Sequence, residues 1–251
     1  MAVTKMHGTF NDFVVLDLRR PVVTDLHTLA RKICDRRGGI GADGLIVIQG
    51  TDRADVRMRI INADGSEAEM CGNGARCAVR FLTDRGEGTH FRLDTLAGII
   101  VADVRADGQI RLNVGTPRFE QRTLPYPDAD FVWVGNPHVV IFSRTLDEID
   151  IESLGSANPD VNVHVAVVVD REHLRVRHFE RGVGLTYSCG TGSVACAAAA
   201  MRRGLADSRV DVNVPGGHVL VEWDGEHEAY LTGPAVRVFD ATVEDPRAIP
   251  V

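Results

Sequence analysis

The sequence predicts an α+β fold of two pseudo-symmetric halves, each a mainly antiparallel sheet or barrel wrapped around a central helix, with an active site in the cleft between them. Three observations predict it. The phrase Cys71-Gly72-Asn73-Gly74-Ala75 returns 118 positions later as Cys189-Gly190-Thr191-Gly192-Ser193. Each phrase follows β-branched-rich runs of strand length and precedes a small, apolar run of helical character. The approach to each phrase is also alike in length, 60 residues from Asn11 to Cys71 and 53 from Asn136 to Cys189.

The elements repeat in the same order. Val14 to Leu18 reads as a strand behind Asn11-Asp12, and Val139 to Phe142 as its counterpart behind Asn136-Pro137-His138. A helix follows in the first half, capped by Thr24 or Asp25, with Leu26, Leu29, Ala30 and Ile33 on one face and Gly38-Gly39 as its stop. The matching segment near Leu146 to Leu154 is shorter and weaker. Strands come next at about 45–48 and 56–61, and again at about 163–169 and 174–179.

The Cys-Gly helices then differ in pattern. Ala75, Ala78, Val79 and Leu82 make one apolar face, whereas Val194 to Met201 is apolar all round, as in a buried helix. Three short strands close each half, at about 91–93, 99–104 and 110–114, and at about 210–214, 219–223 and 229–231. The turn-rich stretch around Pro117, Pro125 and Pro127 marks the boundary. The expected halves are 1–114 and 115–251, with the last strand, about 236–251, able to return to the first half.

The 251 residues suffice for one large domain or two small ones, and 44% apolar with 25% charged residues is an ordinary globular composition. A net charge of −7 argues against a nucleic-acid partner. Neither a secretory h-region nor a membrane-length apolar run occurs, so a cytoplasmic protein with no membrane partner is expected. Five cysteines without a Cys-x-x-Cys read as free thiols rather than disulfides or zinc ligands. Cys34, Cys77 and Cys196 fall on apolar helical stretches and are expected in the core.

Cys71 and Cys189 are different, because each opens a helix. The unpaired N–H groups there carry partial positive charge, attract anions and lower a thiol's pKa. Two such thiols suit one reaction in particular. A carbon acid beside a carboxylate is inverted when one base removes the α-proton and an acid returns a proton to the other face. The helix-start N–H groups would hold the carboxylate as the carbanion's charge spreads onto it.

Several segments together resemble the diaminopimelate epimerase family: 7–13 (His-Gly-Thr-Phe-Asn-Asp-Phe), 39–44 (Gly-Ile-Gly-Ala-Asp-Gly), 62–77 (from Asn62 through Cys71 to Cys77), 135–138 (Gly-Asn-Pro-His), 180–184 (Glu-Arg-Gly-Val-Gly) and 215–217 (Pro-Gly-Gly). They keep that family's order over almost the whole chain. The resemblance implies a cofactor-independent epimerase, without pyridoxal phosphate or metal, that interconverts LL- and meso-2,6-diaminopimelate as a homodimer. It also implies roles. Cys71 and Cys189 would be the acid/bases, with His138 supporting Cys71 and Glu180 supporting Cys189. Gly72, Asn73, Gly190 and Thr191 would hold the reacting carboxylate by backbone N–H groups. Asn62, Asn136, Asn162 and Arg181 would surround the distal carboxylate, Glu180 would lie near the distal amine, and Asn11 would line the substrate site. The sequence departs from the family in one place, with Leu185 where glutamate is common.

The remaining motifs read plainly. The run 39–44 matches G-x-G-x-x-G but follows a helix and precedes a strand, the reverse of a dinucleotide fold, so it is a turn. His173 and His178, five apart on a strand, point to opposite faces, make a poor metal site and are expected on the surface. Three rivals stand beside the epimerase: a related racemase for another amino acid, a Cys–His hydrolase built on His138, and a non-catalytic ligand-binding module. The hydrolase leaves one Cys-Gly phrase unexplained, and the binding module would tolerate loss of a thiol that has not been lost.

Overall fold

A computed structural model of the chain describes residues 1–20, 25–122 and 126–243. Thr24 and Pro125, named above as a cap and a boundary residue, lie outside them, as do residues 244–251 of the expected last strand. The chain divides into two compact units, Met1–Leu112 with Pro234–Val251, and Asn113–Gly233.

In the first unit the strands are β1 (Ala2–Gly8), β2 (Asn11–Asp17), β3 (Gly44–Gln49), β4 (Val56–Asn62), the short β5 (Glu67–Ala68), β6 (His90–Thr95), β7 (Gly98–Val104) and β8 (Ile110–Asn113), with helices α1 (Leu26–Ile33) and α2 (Gly72–Thr83). β1 pairs antiparallel with β2, β2 parallel with β3, β3 antiparallel with β4, β4 parallel with β6, and β6, β7 and β8 run antiparallel in turn. The second unit holds β9 (Arg118–Glu120), β10 (Asp130–Trp133), β11 (Pro137–Phe142), α3 (Ile151–Ser156), β12 (Asn162–Val168), β13 (His173–Glu180), β14 (Gly184–Thr186), α4 (Gly190–Arg202), β15 (Arg209–Val214), β16 (Gly217–Glu222) and β17 (Tyr230–Gly233). Its strands β10, β11, β12, β13, β15, β16 and β17 repeat the same alternation of pairings. The final strand, β18 (Val236–Thr242), pairs with β1 as β9 pairs with β10.

Each unit wraps its sheet around one helix. The α2 face Ala75, Ala78, Val79 and Leu82 is fully buried and lies against β1 to β4, β7 and β18. The all-apolar α4 is buried from Gly190 to Ala200 and meets strands β10 to β13 and β15 to β17. The shorter α1 lies over a separate cluster with Leu26, Leu29, Ala30 and Ile33 inward, and Asp25 caps it by accepting from the Thr28 N–H. In the weaker helical segment only α3 forms, because Asp150 accepts from the Ser153 N–H and starts the helix at Ile151. The strands β1 and β10, which have no counterpart in the expected element order, complete the repeat. The 39–44 run is the turn between α1 and β3, and Cys34, Cys77 and Cys196 are all buried.

Candidate active site

Both cysteines of the repeated phrase are helix N-caps with extended backbone, Cys71 for α2 and Cys189 for α4. Around Cys71 the structure assembles a polar set within the first unit. The Cys71 thiol donates to Asn11 Oδ1 at 3.6 Å, Sγ accepts from the Gly74 N–H at 3.5 Å, and Asn73 Nδ2 donates to the same Asn11 oxygen at 3.2 Å. Asn11 follows a two-residue turn whose residues, Thr9 and Phe10, both have positive φ. That turn closes a tight hairpin at about 1 kcal/mol of strain per residue.

Asn11 Nδ2 donates to Asp43, which sits among Asp12, Arg36 and Lys5. Burial pushes the Asp12 carboxyl up, but Arg36 and Lys5 outweigh it and bring it to about 2. This ion network explains why the 39–44 turn carries Asp43. Gly8 has a spatial reason as well, since a Cβ there would stand 3.1 Å from the Asn73 carbonyl oxygen and 3.2 Å from Arg76 Nη2.

Arg76, one turn into α2, is fully buried. Its Nη2 donates to Asn73 Oδ1 at 2.8 Å and Thr9 Oγ1 at 3.3 Å, and its Nε to the Pro234 carbonyl at 3.0 Å. Nη1 has no hydrogen-bond partner among the described residues. Burial lowers the guanidinium's pKa, opposed by Cys77 and Cys71. A buried cation therefore stands directly behind the first thiol. Sequence reasoning passed over it, although an arginine inside an otherwise small, apolar helix face is a visible anomaly.

Around Cys189 the chemistry has the opposite sign. Burial pushes this thiol well above its ordinary pKa, and the Glu180 carboxylate adds to the effect, while the Gly192 N–H and the Thr191 hydroxyl act the other way. The expectation that a helix start lowers the thiol pKa is therefore corrected here: desolvation of the buried Cys189 beside an anion outweighs the helix-end N–H groups. Thr191 Oγ1 lies 3.7 Å from Sγ. Glu180 ends β13, and Thr186 donates to its Oε1 at 2.7 Å across the β13–β14 hairpin. Leu185 lies on the same hairpin and is exposed. The 215–217 turn supports this region, its Gly216 N–H donating to the Tyr187 carbonyl.

The asparagines expected at the distal end divide between the units. In the second unit, Asn162 is buried at the start of β12, donates to the Pro137 carbonyl and accepts the Arg181 N–H, each at 3.0 Å. It thereby ties the Asn136-Pro137-His138 phrase to Glu180-Arg181. Arg181 itself is exposed, and Asn136 Oδ1 is buried without a hydrogen-bond partner among the described residues. Asn62 ends β4 in the first unit, where Nδ2 donates to Ser66 Oγ.

His138 opens into something the sequence reading missed. Its Nδ1 lies 2.8 Å from His164 Nε2, and His164 Nδ1 lies 2.9 Å from His178 Nδ1. All three rings are buried, which drives His138 and His178 down to about 3 and His164 well below its ordinary value. His173 is exposed on the opposite face, as expected, but His178 is 1% exposed and its assignment to the surface is corrected. The signal was present, because His178 shares strand parity with the buried Leu174 and Val176.

The family profile described as diaminopimelate epimerase matches residues 3–120 and 131–238. A diaminopimelate epimerase of Rhizorhabdus wittichii is 41% identical, covering 96% of this chain and 94% of its own length. One of Azotobacter vinelandii is 40% identical, covering 96% and 98%. Among solved structures, a phenazine biosynthesis protein of the PhzF family from Bacillus anthracis has the same fold, with a TM-score of 0.77 at 20% identity over 97% of this chain and 98% of that one.

Proposed function

The chain belongs to the diaminopimelate epimerase family, and we propose that it interconverts LL- and meso-2,6-diaminopimelate by a two-base reaction at one α-carbon. The observation that carries the mechanism is the placement of two thiols in the same position, as N-caps of the two buried helices. One thiolate removes the α-proton and the other thiol returns one, so Cys71 and Cys189 exchange roles with the direction of reaction. The N–H groups of Gly72, Asn73, Gly190 and Thr191 hold the reacting carboxylate, where negative charge accumulates. The Arg181 fork with Asn62, Asn136 and Asn162 reads the distal carboxylate, and Asn11 lines the site. Glu180 serves Cys189 and the distal amine, and His138 serves Cys71.

These steps use side chains and backbone alone, the ground for proposing a cofactor-independent enzyme. The family resemblance is likewise the ground for a homodimer working in the cytoplasm. Among the described residues, no helix is long and apolar enough to cross a membrane.

In deuterated water, the reduced enzyme should incorporate solvent hydrogen at one α-carbon of diaminopimelate while the LL and meso forms interconvert. Absence of exchange would sink the assignment. Cys71→Ala and Cys189→Ala should each lower epimerisation by about 10³-fold or more. Substantial inversion by either variant would refute the two-base scheme.

A further inference from the structure

Three buried histidines of the second unit form a hydrogen-bonded chain that ends on a serine. Beyond His178, the ring Nε2 lies 3.5 Å from Ser193 Oγ. Ser193 is on the first turn of α4, and its hydroxyl donates to the Cys189 carbonyl at 2.9 Å. The carbonyl contact is the shorter of the two and a carbonyl can only accept, so the geometry favours the serine proton there, with Oγ offering His178 only lone pairs. In that arrangement Nε2 of His178 carries its proton, because the alternative sets two lone pairs against each other.

The rest follows by alternation in neutral rings, each with one donor nitrogen and one acceptor nitrogen. With Nε2 protonated, His178 Nδ1 is an acceptor and takes the proton of His164 Nδ1. His164 Nε2 is then an acceptor and takes the proton of His138 Nδ1. His138 Nε2 is left as a bare lone pair, and it is buried without a partner among the described residues.

The geometry points to His164, His178 and Ser193 as positioning residues that lock His138 in its Nδ1–H tautomer, presenting an Nε2 that accepts a hydrogen bond and cannot donate one. The lock is built into the fold. His164 and His178 are register partners across β12 and β13, and His138 pairs with Asn162, two residues from His164, across β11 and β12. Gly192, the second glycine of the Cys189 phrase, makes room for the middle ring. A Cβ there would meet His164 Cε1 at 2.5 Å and Nε2 at 2.8 Å, both in a rigid ring. The same α4 turn thus carries a proposed reacting thiol and the serine that terminates the chain.

The inference rests on the proposed role of His138 for its consequence in turnover, but its structural content is independent of any substrate. With the histidine rings labelled in 15N, long-range 1H–15N correlation of the ligand-free enzyme at neutral pH should show His138 and His164 as neutral Nδ1–H and His178 as neutral Nε2–H. A His138 ring protonated at Nε2, or at both nitrogens, would overturn the lock whether or not the protein turns over diaminopimelate.

Ser193→Ala removes the terminal hydroxyl, and should give His138 mixed tautomers and a kcat about tenfold lower with KM nearly unchanged. An unaltered His138 signal would overturn the proposal. His164→Gln keeps one acceptor and one donor and should retain the Nδ1–H signal, whereas His164→Phe should lose it. If both variants behave alike, the chain does not set the tautomer. Should the Phe variant fail to fold, the serine variant decides.

Discussion

The starts of α2 and α4 are near-copies in sequence but have different charged neighbours, a buried arginine at one and a glutamate at the other. At α2, Cys71 lies ahead of a buried guanidinium, and its thiol is held by the neutral Asn11 amide. At α4 the residue equivalent to Arg76 is Val194, and the Glu180 carboxylate acts on the thiol. A cation favours the thiolate and an anion favours the thiol. The two-base inversion proposed above needs one of each at any moment, and the divergence of the two helix starts would make such a pair unequal.

The largest test of that inequality concerns the units as wholes. The second unit buries His138, His164 and His178 as neutral rings, with His138 and His178 held near 3 against an ordinary 6.5. In the first unit His7 is half-buried, and His27 and His90 are exposed. Between about pH 6.5 and 3 the unfolded chain binds protons that the buried rings refuse. Stability is therefore lost as pH falls through that window, by up to about 1.4 kcal/mol per pH unit for each ring. Hydrogen exchange, corrected for its intrinsic pH dependence, should show α4, β12 and β13 losing more protection than α2 between pH 7 and pH 5. Equal losses would break the comparison.

Next in size is Arg76→Met, which removes the buried cation and its bonds to Asn73, Thr9 and Pro234. Loss of bonds from a charged donor is worth about 1.5–3 kcal/mol, roughly 10- to 100-fold in rate if it falls on the transition state. Lysine should not restore activity, since one ammonium cannot reproduce the fork. Full activity in the Met variant, by steady-state kinetics, would remove Arg76 from the account.

Glu180→Gln tests the other side. Without the anion the Cys189 thiol should titrate at lower pH, a shift visible in the ultraviolet thiolate absorbance of the variant made in a Cys71→Ala background. An upward shift or none would mean that Glu180 does not raise this thiol. The smallest effect separates the two second glycines. Gly74→Ala meets side-chain tips, Ile60 Cδ1 at 3.0 Å and Ile46 Cδ1 at 3.4 Å, and should be within about 1 kcal/mol of neutral, whereas Gly192→Ala strikes the His164 ring and should cost about 1–3 kcal/mol. Denaturant midpoints would show the difference, and equal midpoints would remove the spatial role given to Gly192.

Much of this was legible in the chain. The order of most strands, the two buried helices, the N-cap cysteines and the turn at 39–44 follow from local periodicity and capping, which act over a few residues, whereas β1 and β10 were not read. Asn11 was named from the resemblance alone, and its link to Asp43, and through it to the ion network, was not legible, because those partners come from different elements. His178 shows the boundary between the two kinds of knowledge. Its strand parity with Leu174 and Val176 was readable, yet a histidine on an apolar face has no place until a second ring stands opposite, and His164 arrives there only through β12–β13 register.

The sequence by itself therefore determined the repeat, the two helix starts and the chemistry that a duplicated thiol suits, since capping and amphipathic pattern are decided by near neighbours. Only the tertiary structure decided the charge environment of each thiol and the proton arrangement behind His138. Desolvation and hydrogen-bond partnership depend on groups brought from far along the chain: Pro234 against Arg76, Glu180 beside Cys189, and Ser193 at the end of three rings drawn from three strands.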